Sequence, residues 1–263
     1  MELDRFHAFV KERIPFSFIR FSDGEVEILR NRKLFIGNSI TEFRGRVFNN
    51  NFPEFDNKSF DPTHGKVLRK DLLEAATFKA KHFFKGIPTA HNNAISDREF
   101  LLRLNGGRDC HMTFSDLFLN SNFIHARKYF FPSLISNFDD IFVVGNFRCN
   151  LSGDLIKGSL IPIQDNFFTS YLKTKTTVMS ALQALPKCCL VLSSASSLSN
   201  IIGKTLRQSR PDITFIDVGT VLNDLLGLEL GTRDYHFILK PKKISEHFLA
   251  WRFKSKKTYK LRW

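Results

Sequence analysis

The sequence lacks the features that mark several common protein classes. Its 263 residues contain no apolar run of about 18 residues, so no membrane-spanning helix is predicted. The N-terminus lacks the charged-then-apolar order of a signal peptide, which favours a cytoplasmic protein. No P-loop, nucleophile elbow or H-E-x-x-H motif is present, so kinase, hydrolase and zinc-protease interpretations lack their usual motifs.

Cysteine is also scarce, with four residues in the whole chain. Cys110, Cys149, Cys188 and Cys189 show no C-x-x-C spacing and lie among apolar neighbours. Buried, reduced thiols are therefore predicted rather than zinc ligands or disulfides.

Acidic residues are outnumbered, 26 against 39 Lys and Arg, which gives a formal net charge of +13. Much of this excess lies in residues 240–263, where nine Lys or Arg and one acid, Glu246, give +8 and leave +5 for the rest. We therefore predict one domain over residues 1–239, followed by a basic, aromatic tail over residues 240–263.

The tail places aromatic side chains between its cations, and two kinds of partner suit that pattern. The aromatic residues include Trp251, Phe253, Tyr259 and Trp263. Aromatic rings favour the lipid headgroup region and each cation adds about 1 kcal/mol on anionic lipid, so peripheral membrane binding is predicted. The alternative is a non-enzymatic nucleic-acid-binding protein that stacks bases on these rings, although the rest of the chain is only mildly basic.

Apolar patterning alternates between strand and helix character along the chain. Strands such as 141–144 and 189–192 are continuously apolar, as expected when helices cover both faces of a sheet. An α/β fold with a Rossmann-like, mainly parallel sheet is therefore predicted. The predicted strands are 16–21, 86–90, 109–112, 140–145, 159–163, 187–192 and 212–216. The predicted helices are 2–12, 24–31, 65–84, 97–104, 169–184, 197–209 and 219–226, with others inside 115–136 and a long loop at 33–63.

The first strand-like run, Phe18–Phe21, ends in two carboxylates, Asp23 and Glu25, on either side of Gly24. Residues two apart point the same way in an extended chain but diverge by about 200° on a helix, so the pair can share one ion only ahead of the helix. Two hard oxygen donors suit a divalent cation that also contacts phosphate, and Gly24 lets a ligand approach the backbone. Alternatively, Asp23 caps the helix.

Other polar clusters also follow predicted strands. They are His91–Asn93, Thr113–Asp116, Asn146–Asn150, Ser193–Ser197 and Asp217. Ligands of such sheets bind beyond the carboxyl ends of the strands, so we expect these clusters to line one site. The serine-rich loop either holds a diphosphate or caps the next helix. Asn146 either lines a nucleotide pocket or forms a turn, and Asp217 either contacts ribose or base or caps a helix.

Three segments together resemble a known family. Ser17–Glu25 resembles the S-x-x-R-F-G-D-G-E signature of GT-D fold glycosyltransferases, with Ser22 where glycine is usual. Leu190–Ala195 with Asn200–Lys204 is similar to that family's strand, small-residue loop and helix. Phe215–Gly219 resembles its closing D-x-G strand end, and the three segments occur in the family's order.

The resemblance implies a metal-dependent glycosyltransferase with a nucleotide-diphosphate sugar donor, UDP being the expected nucleotide. Asp23 and Glu25 would bind Mn²⁺ or Mg²⁺ with the diphosphate. The expected donor-binding residues are Arg20, Ser22, Gly24, Asn146, Ser193, Ser194 and Asp217. Arg20 either supplements the metal or anchors its strand through a carboxylate pair.

The acceptor implied by the resemblance is a glycan or lipid-linked glycan, in bacterial surface-polysaccharide or glycoprotein assembly. If the reaction inverts the anomeric centre, the acceptor hydroxyl needs a general base. Asp116 is the candidate base, and a helix cap explains this residue equally well.

Overall fold

A computed structural model of the chain describes residues 2–49, 52–89, 93–151, 156 and 158–228. The predicted basic tail, residues 240–263, lies outside these described residues, as do His91 and Asn92 of one predicted polar cluster. Within the described residues, no helix is long and apolar enough to cross a membrane.

The main sheet has seven strands in the order β7-β6-β1-β11-β10-β8-β9, and every neighbouring pair is parallel. Its strands are β1 Ser17–Arg20, β6 Phe83–Ile87, β7 Met112–Phe114, β8 Ile141–Asn146, β9 Ser159–Ile163, β10 Leu190–Ser193 and β11 Thr214–Asp217. The central strands β1, β10 and β11 are buried along almost their whole length, because helices cover both faces. The predicted parallel α/β fold is confirmed.

Helices pack on both faces of this sheet. The α-helices are α1 Glu2–Lys11, α2 Asp23–Leu29, α3 Lys66–Thr77, α4 Ala94–Asn105, α5 Phe123–His125, α6 Phe131–Ser136, α7 Tyr171–Gln183 and α8 Ser197–Ser209. On one face α8 packs on β1 and β11 and contacts α3 and α7. On the other face Phe6 of α1 stacks on Phe16 with ring centroids 5.0 Å apart, and α1 contacts α6.

The segment 33–63, predicted as a loop, instead forms a second sheet, so that prediction is wrong. This small sheet is antiparallel, in the order β4-β3-β2-β5, with β2 Leu34–Ile36, β3 Ile40–Phe43, β4 Arg46–Asn49 and β5 Lys58–Phe60. Leu34 and Phe60 are paired and fully buried, so this face of the small sheet packs on the body. Arg44 and Gly45 join β3 to β4 with φ values of 56° and 70°, as a two-residue type I′ turn requires.

Several other predicted elements differ from the structure, among them the strand predicted at 109–112, which is Met112–Phe114. The helix at 65–84 ends at Thr77, and the strand placed at 86–90 is Phe83–Ile87, because buried Lys85 interrupts its apolar pattern. Residues 219–226 form turns rather than a helix. Gly219 adopts a left-handed φ of 51°, and its N–H is held by Asp217 Oδ1 at 2.9 Å, which turns the chain where the helix was expected.

The burial predicted for the cysteines is found for only some of them. All four cysteines are free. Cys189 is buried and Cys149 is half-buried, and burial raises the pKa of each thiol to about 11. Cys110 and Cys188 are exposed, which contradicts the burial predicted from their apolar neighbours.

A buried ionic network attaches the small sheet to the body. Glu27 of α2 and Asp97 of α4 are completely buried. Arg44, from the β3–β4 turn, lies between them, with Nε 3.2 Å from Glu27 and Nη2 2.5 Å from Asp97. Arg30 also pairs with Asp97, at 3.2 Å. Because an unpaired charge at such depth is costly, Arg44 fixes the hairpin against both helices.

Replacing Arg44 should therefore destabilise the protein more than replacing its neighbour Arg46. Arg44→Met leaves Glu27 with Arg32 and Asp97 with Arg30 as their remaining cations, and should lower the free energy of unfolding by about 2 kcal/mol. Arg46→Met, at an exposed position on β4, should change it by about 0.5 kcal/mol or less. Urea denaturation of both variants measures this difference, and equal midpoints would contradict the anchoring role.

Lys85 of β6 is a second buried charge, only 1% exposed. Its ammonium donates to the carbonyls of Ala76 and Phe78, both at 2.9 Å, and to Asn105 Oδ1 at 2.5 Å. Two of these acceptors lie at the C-terminal end of α3, where helix carbonyls lack partners within the helix. Burial lowers the pKa of Lys85 to about 8, although Asp109 opposes the shift.

This pKa predicts a specific pH dependence of stability. Between about pH 8 and pH 10.5 the unfolded chain keeps a proton that folded Lys85 has lost, so the contribution of Lys85 to stability rises with pH. Relative to Lys85→Met, the wild type should gain about 2.5 kcal/mol in unfolding free energy between pH 7 and pH 10. Denaturant titrations across this range measure the gain, and parallel curves for the two proteins would refute it.

Candidate functional site

The two carboxylates of the D-x-E motif lie in the first turn of α2. The helix starts at Asp23, with Ser22 as its N-cap, so the pair is not on extended backbone and the predicted start at residue 24 is slightly late. Glu25 reaches back to Ser22, where its Oε2 accepts from the backbone N–H at 3.1 Å and from Oγ at 2.5 Å. This is one half of a capping box, so Ser22 rather than Asp23 caps the helix.

Asp23 and Glu25 consequently have different surroundings. The Asp23 side chain is exposed and Oδ1 accepts from the N–H of Gly24 at 2.9 Å. Glu25 is buried, at 6% exposure. A methyl group added at Gly24 would meet Leu34 at an ordinary 3.7 Å, so packing does not require glycine at this position.

Ser196 connects α2 to the loop that follows β10. Its Oγ donates to Glu25 Oε1 at 3.2 Å and accepts from the ammonium of Lys58 at 3.1 Å. Ser196 is the N-cap of α8 and has φ 48° and ψ −141°, a backbone conformation that costs a non-glycine residue about 1–3 kcal/mol. The strained residue thus places one hydroxyl between a carboxylate and a cation that are 33 positions apart in sequence.

The rest of the serine-rich loop is held by internal hydrogen bonds. Ser193 Oγ bonds Ser199 Oγ at 2.8 Å and is fully buried, so this side chain braces the loop. The N–H of Ser194 donates to Val144 O at 2.8 Å, and that of Ala195 to Ser199 Oγ at 3.1 Å. Of the two serines proposed from sequence, only the half-exposed Ser194 side chain remains accessible to a ligand.

Arg20 and Asp217 form an ion pair across the neighbouring ends of β1 and β11. Arg20 Nη2 lies 3.3 Å from Asp217 Oδ1, and its Nη1 donates to Ser115 O at 3.3 Å. Of the two alternatives for Arg20, the structure shows the carboxylate pair. Burial raises the pKa of Asp217, the charge of Glu25 adds to the shift, and Arg20 opposes it. The influence of Glu25 places this pair in the same electrostatic environment as the D-x-E motif.

Asn146 belongs to a separate polar group at the end of β8. Its Nδ2 donates to Asp165 at 2.6 Å, and its Oδ1 accepts from the N–H of Arg148 at 3.0 Å. The Arg148 guanidinium pairs with Asp165 and, at 2.7 Å, with Glu54 of the segment before β5. Asn146 thus orders the strand end that was predicted to line a nucleotide pocket.

Asp116 follows β7 at the same edge of the sheet and is half-buried. Its backbone carbonyl accepts from the N–H of Leu119 at 3.0 Å, and the residue before it, Ser115, is the one that Arg20 contacts. Asp116 therefore follows directly after a residue that Arg20 contacts, and it lies next to β7.

The residues present fit a divalent cation that substrate phosphate would help to hold. Because both carboxylates lie in the first turn of α2, the extended backbone that the sequence analysis required for the pair to share one ion is not present. Asp23 offers an exposed carboxylate for direct binding, and Glu25, held by Ser22 and Ser196, lies two residues away. In the described ranges, no group of three or more His, Cys, Asp or Glu is placed to hold a metal ion by itself. A cation with one or two protein carboxylates, phosphate and water is the usual arrangement for Mg²⁺.

Two features of the site were not predicted from sequence. One is the position of the Ser196 hydroxyl between Glu25 and Lys58, and the other is Lys58 itself. The positive φ of Ser196 has no sequence signal, because serine seldom adopts it. Lys58 has no sequence signal either, because the composition of segment 33–63 predicts a loop, whereas strand alternation from Phe60 places Lys58 on the body-facing side.

In sequence, the chain matches no protein-family model and no curated protein. In structure, it is similar over most of its length to solved structures of the domain of unknown function 1792. One, described as having a distinct glycosyltransferase fold, gives a TM-score of 0.54 at 14% identity over 94% of this chain and 92% of that chain. Another, described as a new glycosyltransferase from Streptococcus sanguinis, gives a TM-score of 0.56 at 16% identity over 90% of this chain and 91% of that chain.

The chain therefore has a glycosyltransferase fold. More specifically, it has the fold of the domain of unknown function 1792, and the predicted GT-D type α/β architecture is confirmed at this level.

Gly219 provides a test of how tightly the Arg20–Asp217 pair is built. A Cβ at this position would lie 1.8 Å from Arg20 Nη2 and would add strain at a φ of 51°. A Cβ at Gly45, φ 70°, would meet nothing within 4 Å, so Gly45→Ala incurs the backbone strain alone. Gly219→Ala should lower the unfolding free energy by about 2 kcal/mol more than Gly45→Ala, because the Arg20 guanidinium must move. Thermal or urea unfolding of the two variants compares them directly; equal losses would show that Arg20 is not held in place.

Proposed function

We propose that the protein transfers a sugar from a nucleotide-diphosphate sugar, UDP being the expected nucleotide, to a hydroxyl of a glycan acceptor. The observation that carries the proposal is the exposed Asp23 carboxylate beside the hydrogen-bonded Glu25, at the carboxyl edge of a sheet with a glycosyltransferase fold. This edge is where ligands of parallel α/β sheets bind, beyond the ends of β1, β10 and β11.

In the proposed reaction, the acceptor oxygen forms a bond to the anomeric carbon as the bond from that carbon to the diphosphate breaks. Asp23 and Glu25 would hold a divalent cation, Mn²⁺ or Mg²⁺, which when bound supplies positive charge to the departing diphosphate. Ser22 and Ser196 orient the Glu25 carboxylate through their hydroxyls.

Arg20 forms an ion pair with Asp217 between the ends of β1 and β11, and Asp217 accepts the N–H of Gly219 in the turn that follows. Their proposed role is to shape the donor pocket beside the D-x-E motif. Asn146 and Ser193 would support this pocket through their internal hydrogen bonds, and Ser194 would face the donor. In an inverting reaction Asp116 would accept the proton of the acceptor hydroxyl.

The acceptor and the cellular setting are proposed from sequence. A glycan or lipid-linked glycan of bacterial surface-polysaccharide or glycoprotein assembly is the acceptor that the GT-D resemblance implies. The cations and aromatic residues of segment 240–263 favour a peripheral contact with an anionic membrane, where a lipid-linked acceptor would be found. The glycosyltransferase fold favours this function over nucleic-acid binding.

The metal assignment predicts a selective loss of activity at Asp23. Asp23→Asn should reduce nucleoside diphosphate release from a panel of nucleotide sugars by roughly 100-fold or more. Its unfolding free energy should stay within about 1 kcal/mol of the wild type, because Ser22 and not Asp23 caps α2. Release is measured with Mn²⁺, with Mg²⁺ and in excess chelator.

Asp139→Asn is the matched control, since Asp139 is exposed and precedes β8 at the opposite edge of the sheet. It should release nucleoside diphosphate as the wild type does. Undiminished release by Asp23→Asn, or in excess chelator, would refute the metal assignment. A wild-type protein that neither binds nor cleaves any nucleotide sugar would refute the proposed function itself.

A further inference from the structure

Lys58 is a cation at the site that no carboxylate neutralises directly. Among the described residues, other cations near these strand ends are paired with carboxylates, including Arg20 with Asp217, and Arg148 with Asp165 and Glu54. Within the described part of the chain, Lys58 has no carboxylate within ion-pair distance, and its ammonium contacts the Ser196 hydroxyl at 3.1 Å. Lys58 is half-buried, so its charge is only partly screened by water.

The strand that carries Lys58 is fixed in position from both sides. Lys58 and Phe60 alternate on the same face of β5, and Phe60 is buried against the body with its partner Leu34. From the other direction, the N–H of Ser59 donates to Asn166 Oδ1 at 2.9 Å, which ties β5 to the loop after β9. The Lys58 side chain is thereby held towards the loop between β10 and α8.

Ser196 sets the distance between Lys58 and the D-x-E motif. Because its hydroxyl lies between the ammonium and Glu25 Oε1, the two charges are near each other without forming an ion pair. Ser196 holds this place in a strained backbone conformation, and such strain is typical of residues fixed by function.

The geometry points to Lys58 as a second diphosphate-binding group, delivered by the small sheet and positioned by Ser196. This inference rests on the proposed function, because it assigns Lys58 to the diphosphate of the same donor. Arg20 pairs with Asp217, whereas Asp23 and Glu25 bring two further carboxylates to the site and a diphosphate adds more negative charge. An unpaired ammonium compensates that charge, and lysine binds phosphate well as a compact point charge.

The test compares binding of UDP, inorganic pyrophosphate and uridine by calorimetry in Mg²⁺ to the full-length protein. Lys58→Met should weaken UDP and pyrophosphate about 10-fold to 100-fold, the range expected for one charged hydrogen bond, and leave uridine binding unchanged. Lys58→Arg keeps the charge and should recover most of the affinity. Lys33→Met, at an exposed lysine next to β2 that pairs with Glu42, is the matched control and should bind as the wild type does.

The outcomes separate this inference from the function on which it rests. If Lys58→Met binds UDP and pyrophosphate as tightly as the wild type, the assignment of Lys58 is wrong and the glycosyltransferase proposal stands. If the wild type binds neither UDP nor pyrophosphate, the donor site itself is wrong. If Lys58→Met weakens uridine and UDP binding equally, Lys58 only shapes the pocket and does not bind the diphosphate. If Lys33→Met loses as much UDP affinity as Lys58→Met, the loss comes from the change in net charge and not from the position of Lys58.

Discussion

The insertion of Arg44 between two fully buried carboxylates is the interaction on which the arrangement of the site depends. Glu27 and Asp97 belong to different helices of the body, and the cation that joins them comes from the turn of a separate sheet. Arg30 and Arg32 also pair with Asp97 and Glu27, but Arg44 is the cation that contacts both carboxylates, so it links the small sheet to two helices of the body at once. This link in turn brings β5, and with it Lys58, to the carboxyl edge of the parallel sheet.

Hydrogen bonds and an ion pair within the protein hold the side chains of the site in place. The hydroxyls of Ser22 and Ser196 donate to the two carboxylate oxygens of Glu25. Ser199 forms a hydrogen bond with Ser193, and Arg20 forms an ion pair with Asp217. Fixed dipoles and charges of this kind are what a site needs to stabilise developing charge without reorganising. The Asp23 carboxylate and the Lys58 ammonium are then the charged groups whose present contacts a ligand replaces most easily, since one is exposed and the other donates to a single hydroxyl.

The sequence predicted the parallel sheet because its buried strands are continuously apolar and its long helices are amphipathic. It did not predict the small sheet, whose strands have only three or four residues and lie among Asn, Gly and Pro. Strand β10 is equally short, but it extends a continuously apolar run, Cys188–Leu192, of a kind that β2 to β5 lack. The D-x-E motif and Asp217 were found because they directly follow recognisable strands. The contact of Lys58 with Ser196 spans 138 positions and depends on a backbone strain that composition does not encode.

Lys85 has a consequence for how β6 finds its place in the sheet. Successive residues of a strand face opposite sides, so Lys85 points to the end of α3 while Phe84 packs against Phe6 of α1, with ring centroids 5.0 Å apart. A slip of one residue would exchange the two and leave an ammonium among phenylalanine rings with no acceptor. A chain with this shifted register would carry a desolvated charge, so Lys85 specifies the alignment of β6 against the neighbouring strands.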